Sequence, residues 1–91
     1  MPYARRVPAP RLTLLTKPGC HLCDDARTAL EAVLAEPEFG LTYEERDILA
    51  DPDLAAEYAE EIPVVLIDDR VHTIWRVEPD RLRTALRRAD A

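Results

Sequence analysis

The chain has 91 residues, 47% of them apolar, which is enough for one small hydrophobic core and too short for a second domain. No apolar run approaches the roughly 20 residues of a membrane span, and a net charge of −6 argues against nucleic-acid binding, which needs clustered cations. Residues 1–10 lack the pattern of a secretory signal, and two cysteines are too few for a secreted disulfide scaffold. We therefore expect a flexible leader over residues 1–10 and one domain over residues 11–91, in a monomeric cytoplasmic protein that binds neither membrane nor nucleic acid.

A strand and a helix are predicted first, on either side of a breaker sequence. Residues 11–16 contain three leucines and predict a strand, which Lys17-Pro18-Gly19 ends. Asp24 and Asp25 would fall in the first turn of the helix, where its dipole favours acidic residues. The helix should end near residues 35–36, and its apolar residues recur at helical spacing: Leu22, Ala26, Ala29, Leu30, Val33 and Leu34.

The middle of the chain predicts a strand, a short helix and a second strand. Residues 42–48 form a weaker, charged strand pattern that suits a sheet edge. Asp51 and Pro52 are a typical N-cap and first helical residue, so a short helix should run to residues 58–60. The Val64-Val65-Leu66-Ile67 run is typical of a strand buried on both faces at the centre of a sheet.

The end of the chain predicts a hairpin and a helix. Residues 68–70 form a polar turn, after which Val71, Thr73 and Trp75 alternate with intervening residues as in a strand. Pro79 opens a final helix with Leu82, Ala85, Leu86 and Ala89 on its inner face. The order is therefore β-α-β-α-β-β-α, with the first two strands parallel, the last two antiparallel, and one mixed four-stranded sheet flanked by helices.

The two cysteines, Cys20 and Cys23, lie at the start of the first predicted helix. Thiols at this spacing can close a disulfide, and the unpaired N–H groups of the first helical turn favour the thiolate of the leading cysteine. The position predicts a redox-active pair. Two inert or buried thiols are the alternative interpretation.

Three features in this order resemble glutaredoxin-type members of the thioredoxin superfamily: the TKPGCHLC sequence of residues 16–23, the Ile62-Pro63 step into the third strand, and the element order. The resemblance covers residues 11–89 and is greatest to small glutaredoxin-like proteins of poorly defined function. It implies a thioredoxin-like α/β fold. It also implies a thiol-disulfide oxidoreductase or electron carrier that reduces protein or mixed disulfides in cell redox homeostasis.

The resemblance also implies the roles of individual residues. Cys20 would attack the substrate disulfide and Cys23 would resolve the mixed disulfide. The Ile62-Pro63 peptide bond would be cis, with the Ile62 backbone pairing to the substrate chain. Lys17 and His21 are further candidate substrate-binding residues: Lys17 could steer anionic partners or serve only the loop, and His21 could stabilise the Cys20 thiolate or be a simple exposed residue.

The resemblance implies no bound cofactor, and a disulfide-containing protein as substrate. The reductant would be glutathione or a thioredoxin-reductase-type enzyme. Glutaredoxins place a glycine pair after the strand that follows the cis-proline, whereas residues 72–79 contain no glycine here. The dependence on glutathione is thus left open. Trp75, in that stretch, is either a strand residue that packs on the sheet or a platform for substrate.

Two other functions are consistent with the sequence. The cysteines could contribute to a metal or iron–sulfur site, but they supply only half of a four-thiolate set and would need a second chain, an outside ligand, or His21 and His72. A redox-inactive adaptor could instead bind a partner through the arginine-rich last helix, although cations near a helix C-terminus are also expected from its dipole. The arginines concerned are Arg81, Arg83, Arg87 and Arg88.

Overall fold

The structure, a computed structural model, describes residues 9–89. Its elements are β1 (Leu12–Thr16), α1 (His21–Leu34), β2 (Tyr43–Asp47), a 3-10 turn (Ile48–Ala50), α2 (Pro52–Tyr58), β3 (Val64–Ile67), β4 (Arg70–Ile74) and α3 (Pro79–Ala89). The predicted element order and mixed α/β fold are confirmed. Of the predicted leader, residues 1–8 lie outside the described residues. Within the described part, no helix has the length and apolar character needed to cross a membrane.

The four strands form one sheet in the order β2-β1-β3-β4. β1 and β2 are parallel, whereas β3 is antiparallel to both β1 and β4. The charged strand β2 lies at the edge and the apolar strand β3 lies inside, as the sequence predicts. Since β1 and β3 run in opposite directions, Thr16 at the end of β1, Val64 at the start of β3 and Ile74 at the end of β4 share one end of the sheet. We call this the cysteine end.

The sheet separates two hydrophobic clusters, because successive strand residues point to opposite faces. Leu12, Leu14 and Val65 pack with the buried residues of α1 and α3, among them Leu30 and Leu82. On the other face a second cluster lies under α2, and Cys20, Leu54, Tyr58 and Ile74 pack against it; its buried members are Leu15, Cys23, Ile48, Ile62, Val64 and Leu66. The second cluster is therefore the one that contains Cys23.

Local signals explain how α2 and the hairpin form. The Asp51 carboxylate accepts hydrogen bonds from the backbone N–H groups of Asp53 (3.0 Å) and Leu54 (3.3 Å), so it is the N-cap of α2. Asp68 and Asp69 form the two-residue turn between β3 and β4 with φ of 52° and 68°. Two left-handed residues in succession are what a tight hairpin of the right twist requires, and aspartate tolerates that conformation better than most residues.

The predicted alternation of β4 is wrong from His72 onward. Thr73 pairs with Val65 and Val71 pairs with Leu66, so His72 is an extra residue, a β-bulge. One extra residue inverts the phase of a period-two pattern. β4 ends at Ile74, and Trp75, predicted as a strand residue, follows it with a φ of 72°. The Nε2 atom of His72 and the hydroxyl of Thr73 are both buried without a described hydrogen-bond partner.

Arginines of α3 join this helix to the loop that follows α1. Arg83 forms a bidentate ion pair with the Glu36 carboxylate, in which Nη2 lies 2.7 Å from Oε2. Arg87 contacts both oxygens of Glu38. Hydrogen bonds from these guanidinium groups lower the pKa of both carboxyl groups. Two of the four arginines considered for partner docking therefore hold the protein's own loop.

We expect the bulged histidine to make the protein less stable in mild acid. Burial lowers the pKa of His72, with Arg81 acting in the same direction and Glu78 opposing it. Between pH 7.5 and 5.5 the unfolded chain protonates His72 near its ordinary pKa of about 6.5, whereas the folded chain resists protonation. The unfolded state then binds more protons, so the free energy of unfolding decreases as the pH is lowered. Urea titrations at the two pH values measure the fall.

The matched control for this prediction is the other histidine. His72→Leu should have a smaller fall in unfolding free energy over this range than the parent, because the titrating group is gone. His21→Gln changes an exposed residue and should keep the full fall. An equal fall in His72→Leu and the parent would contradict the assignment.

Candidate active site

Cys20 is the N-cap of α1. Its backbone is extended, with φ of −100° and ψ of 112°, and its Sγ accepts a hydrogen bond from the backbone N–H of Cys23 at 3.1 Å. A side-chain oxygen of Ser, Thr, Asp or Asn usually occupies this position. A sulfur that accepts a backbone N–H at the positive end of a helix is stabilised as a thiolate. Gly19, with a φ of 75°, lets the chain turn into the helix without strain.

Cys23 lies below Cys20 and is only 1% exposed, whereas Cys20 is half-buried. Both are free thiols. Burial raises the pKa of Cys23 to about 11, and the hydrogen bond with Cys20 and the charge of Cys20 act in the same direction. A backbone hydrogen bond with Lys17 and the charge of Arg27 oppose the rise. Cys23 therefore stays protonated near neutral pH while Cys20 is reduced.

The Ile62-Pro63 peptide bond is cis, as the resemblance implies. Ile62 is buried in the same cluster as Cys23, and Pro63 is also fully buried. The carbonyl of Pro63 accepts the backbone N–H of Trp75 at 2.7 Å. Within residues 9–89, no described hydrogen bond uses the backbone of Ile62. That backbone could pair with another chain, whereas the Ile62 side chain belongs to the core.

Four of the six predicted site residues thus lie together at the cysteine end of the sheet: Cys20, Cys23, Ile62 and Pro63. The other two flank them. Lys17 lies in the loop before Cys20 and His21 is the first residue of α1; both are exposed. His72 is on β4 and lines a cavity of about 560 Å³ together with α3 residues, so it does not join them. Residues 9–89 contain no cluster of three His, Cys, Asp or Glu side chains that could hold a metal ion.

A polar network beside the cysteines was not predicted. Arg27, one helical turn after Cys23, donates to both oxygens of Glu45 on β2, at 2.8 and 2.7 Å. The same guanidinium donates to Asp24 at 2.8 Å, and the Thr16 hydroxyl donates to Glu45 at 3.0 Å. The hydrogen bonds from Arg27 and Thr16 lower the pKa of Glu45. The network joins the first turns of α1 to the end of β1 and the middle of β2.

Comparison with known proteins agrees with this geometry. Residues 11–87 match the glutaredoxin-like domain family (DUF836). The chain belongs to this family. An uncharacterized protein of Mycobacterium tuberculosis is 35% identical over 83 residues, which is 88% of this chain and 86% of that protein.

Solved structures share the fold of this glutaredoxin-like protein. A protein from X. campestris is 30% identical, with a TM-score of 0.69 over 85% of this chain and 96% of its own. A mutant thioredoxin of Halobacterium salinarum is 15% identical, with a TM-score of 0.63 over 91% of this chain and 76% of its own. The fold is therefore that of thioredoxin.

The network around Glu45 predicts a pH-dependent contribution to stability. Glu45→Gln should lower the free energy of unfolding by about 1 kcal/mol at pH 7, because the partly exposed, bidentate ion pair with Arg27 is lost. Glu45 has a lowered pKa when folded, so its contribution is complete above the range where glutamate ordinarily titrates. The contribution disappears as the pH falls through the folded pKa. Urea unfolding of parent and variant from pH 7 to pH 3 follows the difference.

Glu44→Gln is the control, since the neighbouring Glu44 is exposed and no described contact uses its carboxylate. It should leave stability within about 0.5 kcal/mol of the parent, as surface substitutions usually do. Equal losses in the two variants, or a loss in Glu45→Gln that persists at pH 3, would refute the role given to the ion pair.

Proposed function

We propose that this glutaredoxin-like protein is a cytoplasmic thiol-disulfide oxidoreductase that reduces protein or mixed disulfides. The observation that carries the proposal is the position of Cys20: it caps α1, its sulfur accepts the Cys23 N–H at 3.1 Å, and it is half-buried above the buried Cys23. One thiol is thus reachable and hydrogen-bonded at the helix start, and the second is buried one turn later. This asymmetry is what a two-step disulfide exchange requires.

The first step is attack by Cys20. Its thiolate attacks one sulfur of the substrate disulfide and forms a mixed disulfide, and the other substrate sulfur leaves as a thiolate that takes up a proton. The Ile62 backbone, at the cysteine end of the sheet, would pair with the substrate chain. Lys17 and His21 flank this position and would donate hydrogen bonds to the substrate.

The second step is resolution by Cys23. Part of the rise in the pKa of Cys23 comes from Cys20, through its hydrogen bond and its charge. The mixed disulfide removes that charge, so Cys23 loses its proton more readily at the moment when its thiolate is needed. It then attacks the Cys20 sulfur and releases the second substrate thiolate. Cys20 and Cys23 are left as a disulfide that glutathione or a thioredoxin-reductase-type enzyme would reduce by two electrons.

The two other functions find less support. A metal or iron–sulfur site at Cys20 and Cys23 would need ligands from glutathione or a second chain, since His72 lies elsewhere, against α3. An adaptor that binds through α3 would have fewer cations to offer, because Arg83 and Arg87 pair with Glu36 and Glu38. Neither function uses the capping geometry of Cys20.

An equilibrium redox titration tests the proposal. We expect Cys20 and Cys23 to interconvert reversibly between dithiol and disulfide in glutathione buffers, with both states separated by mass after acid quenching and thiol alkylation. A potential of about −200 to −230 mV would place the protein with glutathione-linked glutaredoxins, and about −270 mV with thioredoxin-like reductases. The absence of a reversible two-electron couple would refute the proposed function.

A further inference from the structure

Trp75 is held in an unusual backbone conformation beside the cis-proline. It is not glycine, yet its φ is 72°, a region that bulky residues rarely occupy. Its backbone N–H donates to the Pro63 carbonyl at 2.7 Å, and its indole N–H donates to the Glu60 carbonyl at 3.1 Å. The residue is nevertheless 56% exposed. Because both donors of Trp75 are already used, the exposed part of the side chain is an apolar ring face in a fixed orientation.

A second large apolar residue is exposed at the same end of the sheet. Trp75 lies at the cysteine end because it directly follows Ile74. Ile74 pairs with Val64, and Val64 in turn pairs with Leu15, the residue before the last of β1. Leu22, between the two cysteines, is 54% exposed. Apolar side chains therefore flank the cysteines from the helix side and from the β4 side. Exposed apolar residues grouped around a site, unlike isolated ones, indicate an interaction surface.

The charges near this surface are mostly negative. Two acidic residues adjoin the tryptophan through their backbone: the Glu60 carbonyl accepts the indole N–H, and the Glu61 carbonyl accepts the Trp75 backbone N–H at 3.3 Å. Asp25 is exposed on α1, three residues after Leu22. Lys17, Arg27 and Arg76 are the cations nearest in the sequence to the two exposed apolar residues. Arg27 is paired with Asp24 and Glu45, and Arg76 lies 3.6 Å from the Glu78 carboxylate. With a net charge of −6 on the chain, this end attracts cationic partners and repels anionic ones.

We propose that Trp75 and Leu22 form a docking surface for a polypeptide substrate whose disulfide is flanked by apolar and basic side chains. The ring of Trp75 takes the apolar side chain, and the surrounding carboxylates favour the basic ones. Glutathione disulfide, a small anion, lacks both features. The inference rests on the proposed disulfide exchange at Cys20 and specifies its substrate.

Rates of disulfide exchange with defined substrates test this assignment. The probes are two synthetic peptides with the same intramolecular disulfide and the same flanking leucines, one with lysines and one with glutamates at the neighbouring positions, and glutathione disulfide. Each is mixed with reduced protein, and oxidation of the Cys20–Cys23 pair is followed by mass after acid quenching. At low salt we expect the lysine peptide to react about tenfold faster than the glutamate peptide, with the ratio shrinking as salt screens the charges.

Three variants assign the effect to the ring. Trp75→Gly removes the ring while supplying the residue best suited to a positive φ, and it should slow the lysine peptide about tenfold, within the range seen for interface anchors. Glutathione disulfide should be slowed less than about twofold, a change too small for loss of an anchor. Trp75→Phe keeps an apolar ring and should retain most of the rate. Val71→Ala is the control, since Val71 is 50% exposed but lies at the other end of β4.

The outcomes separate this inference from the function on which it rests. If reduced protein fails to react even with a small aromatic disulfide, the proposed oxidoreductase activity is wrong. If all three substrates react but Trp75→Gly is unchanged, or slows them all equally, Trp75 does not dock the polypeptide. A glutamate peptide or glutathione disulfide that reacts faster than the lysine peptide would overturn the assigned substrate chemistry.

Discussion

The hydrogen bond from the Cys23 N–H to the Cys20 sulfur is the interaction on which the rest of the site depends. It makes a thiol the N-cap of α1, so the helix starts where the chemistry is proposed to occur. The same bond fixes the spacing of the two cysteines, because the capping acceptor and the donor three residues later belong to one turn. The helix then carries Cys23 into the core cluster, where burial keeps it protonated.

The sheet supplies the other half of the site. Antiparallel pairing of β1 with β3 brings the end of one strand beside the start of the other, so the loop before Cys20 and the cis-proline meet although they are more than 40 residues apart. The Arg27–Glu45 ion pair then fastens α1 to the edge strand β2. Both cysteines are therefore positioned by α1, and α1 is positioned by its contacts with β1, β2 and α3.

Much of the fold could be predicted because the signals are local. The Val64–Ile67 run, the Asp51-Pro52 helix start and the Asp68-Asp69 turn each require only neighbouring residues, and all three are confirmed. The bulge at His72 could not be predicted, because an inserted residue leaves no mark in composition and only the pairing with β3 reveals it. The ion pair of Arg27 with Glu45 could not be predicted either, because the two residues are far apart in sequence and the chain has many other arginines that could have paired with Glu45.

Cys20 is proposed to attack the substrate and Cys23 to resolve the mixed disulfide, and trapping the mixed disulfide tests these roles most directly. Reduced Cys23→Ser and Cys20→Ser proteins are each mixed with a disulfide-bonded peptide and examined by intact mass. The account predicts that Cys23→Ser accumulates a one-to-one mixed disulfide through Cys20, which nothing can resolve, while Cys20→Ser forms little adduct because Cys23 is buried and protonated. Equal adducts in the two variants, or an adduct only in Cys20→Ser, would contradict it.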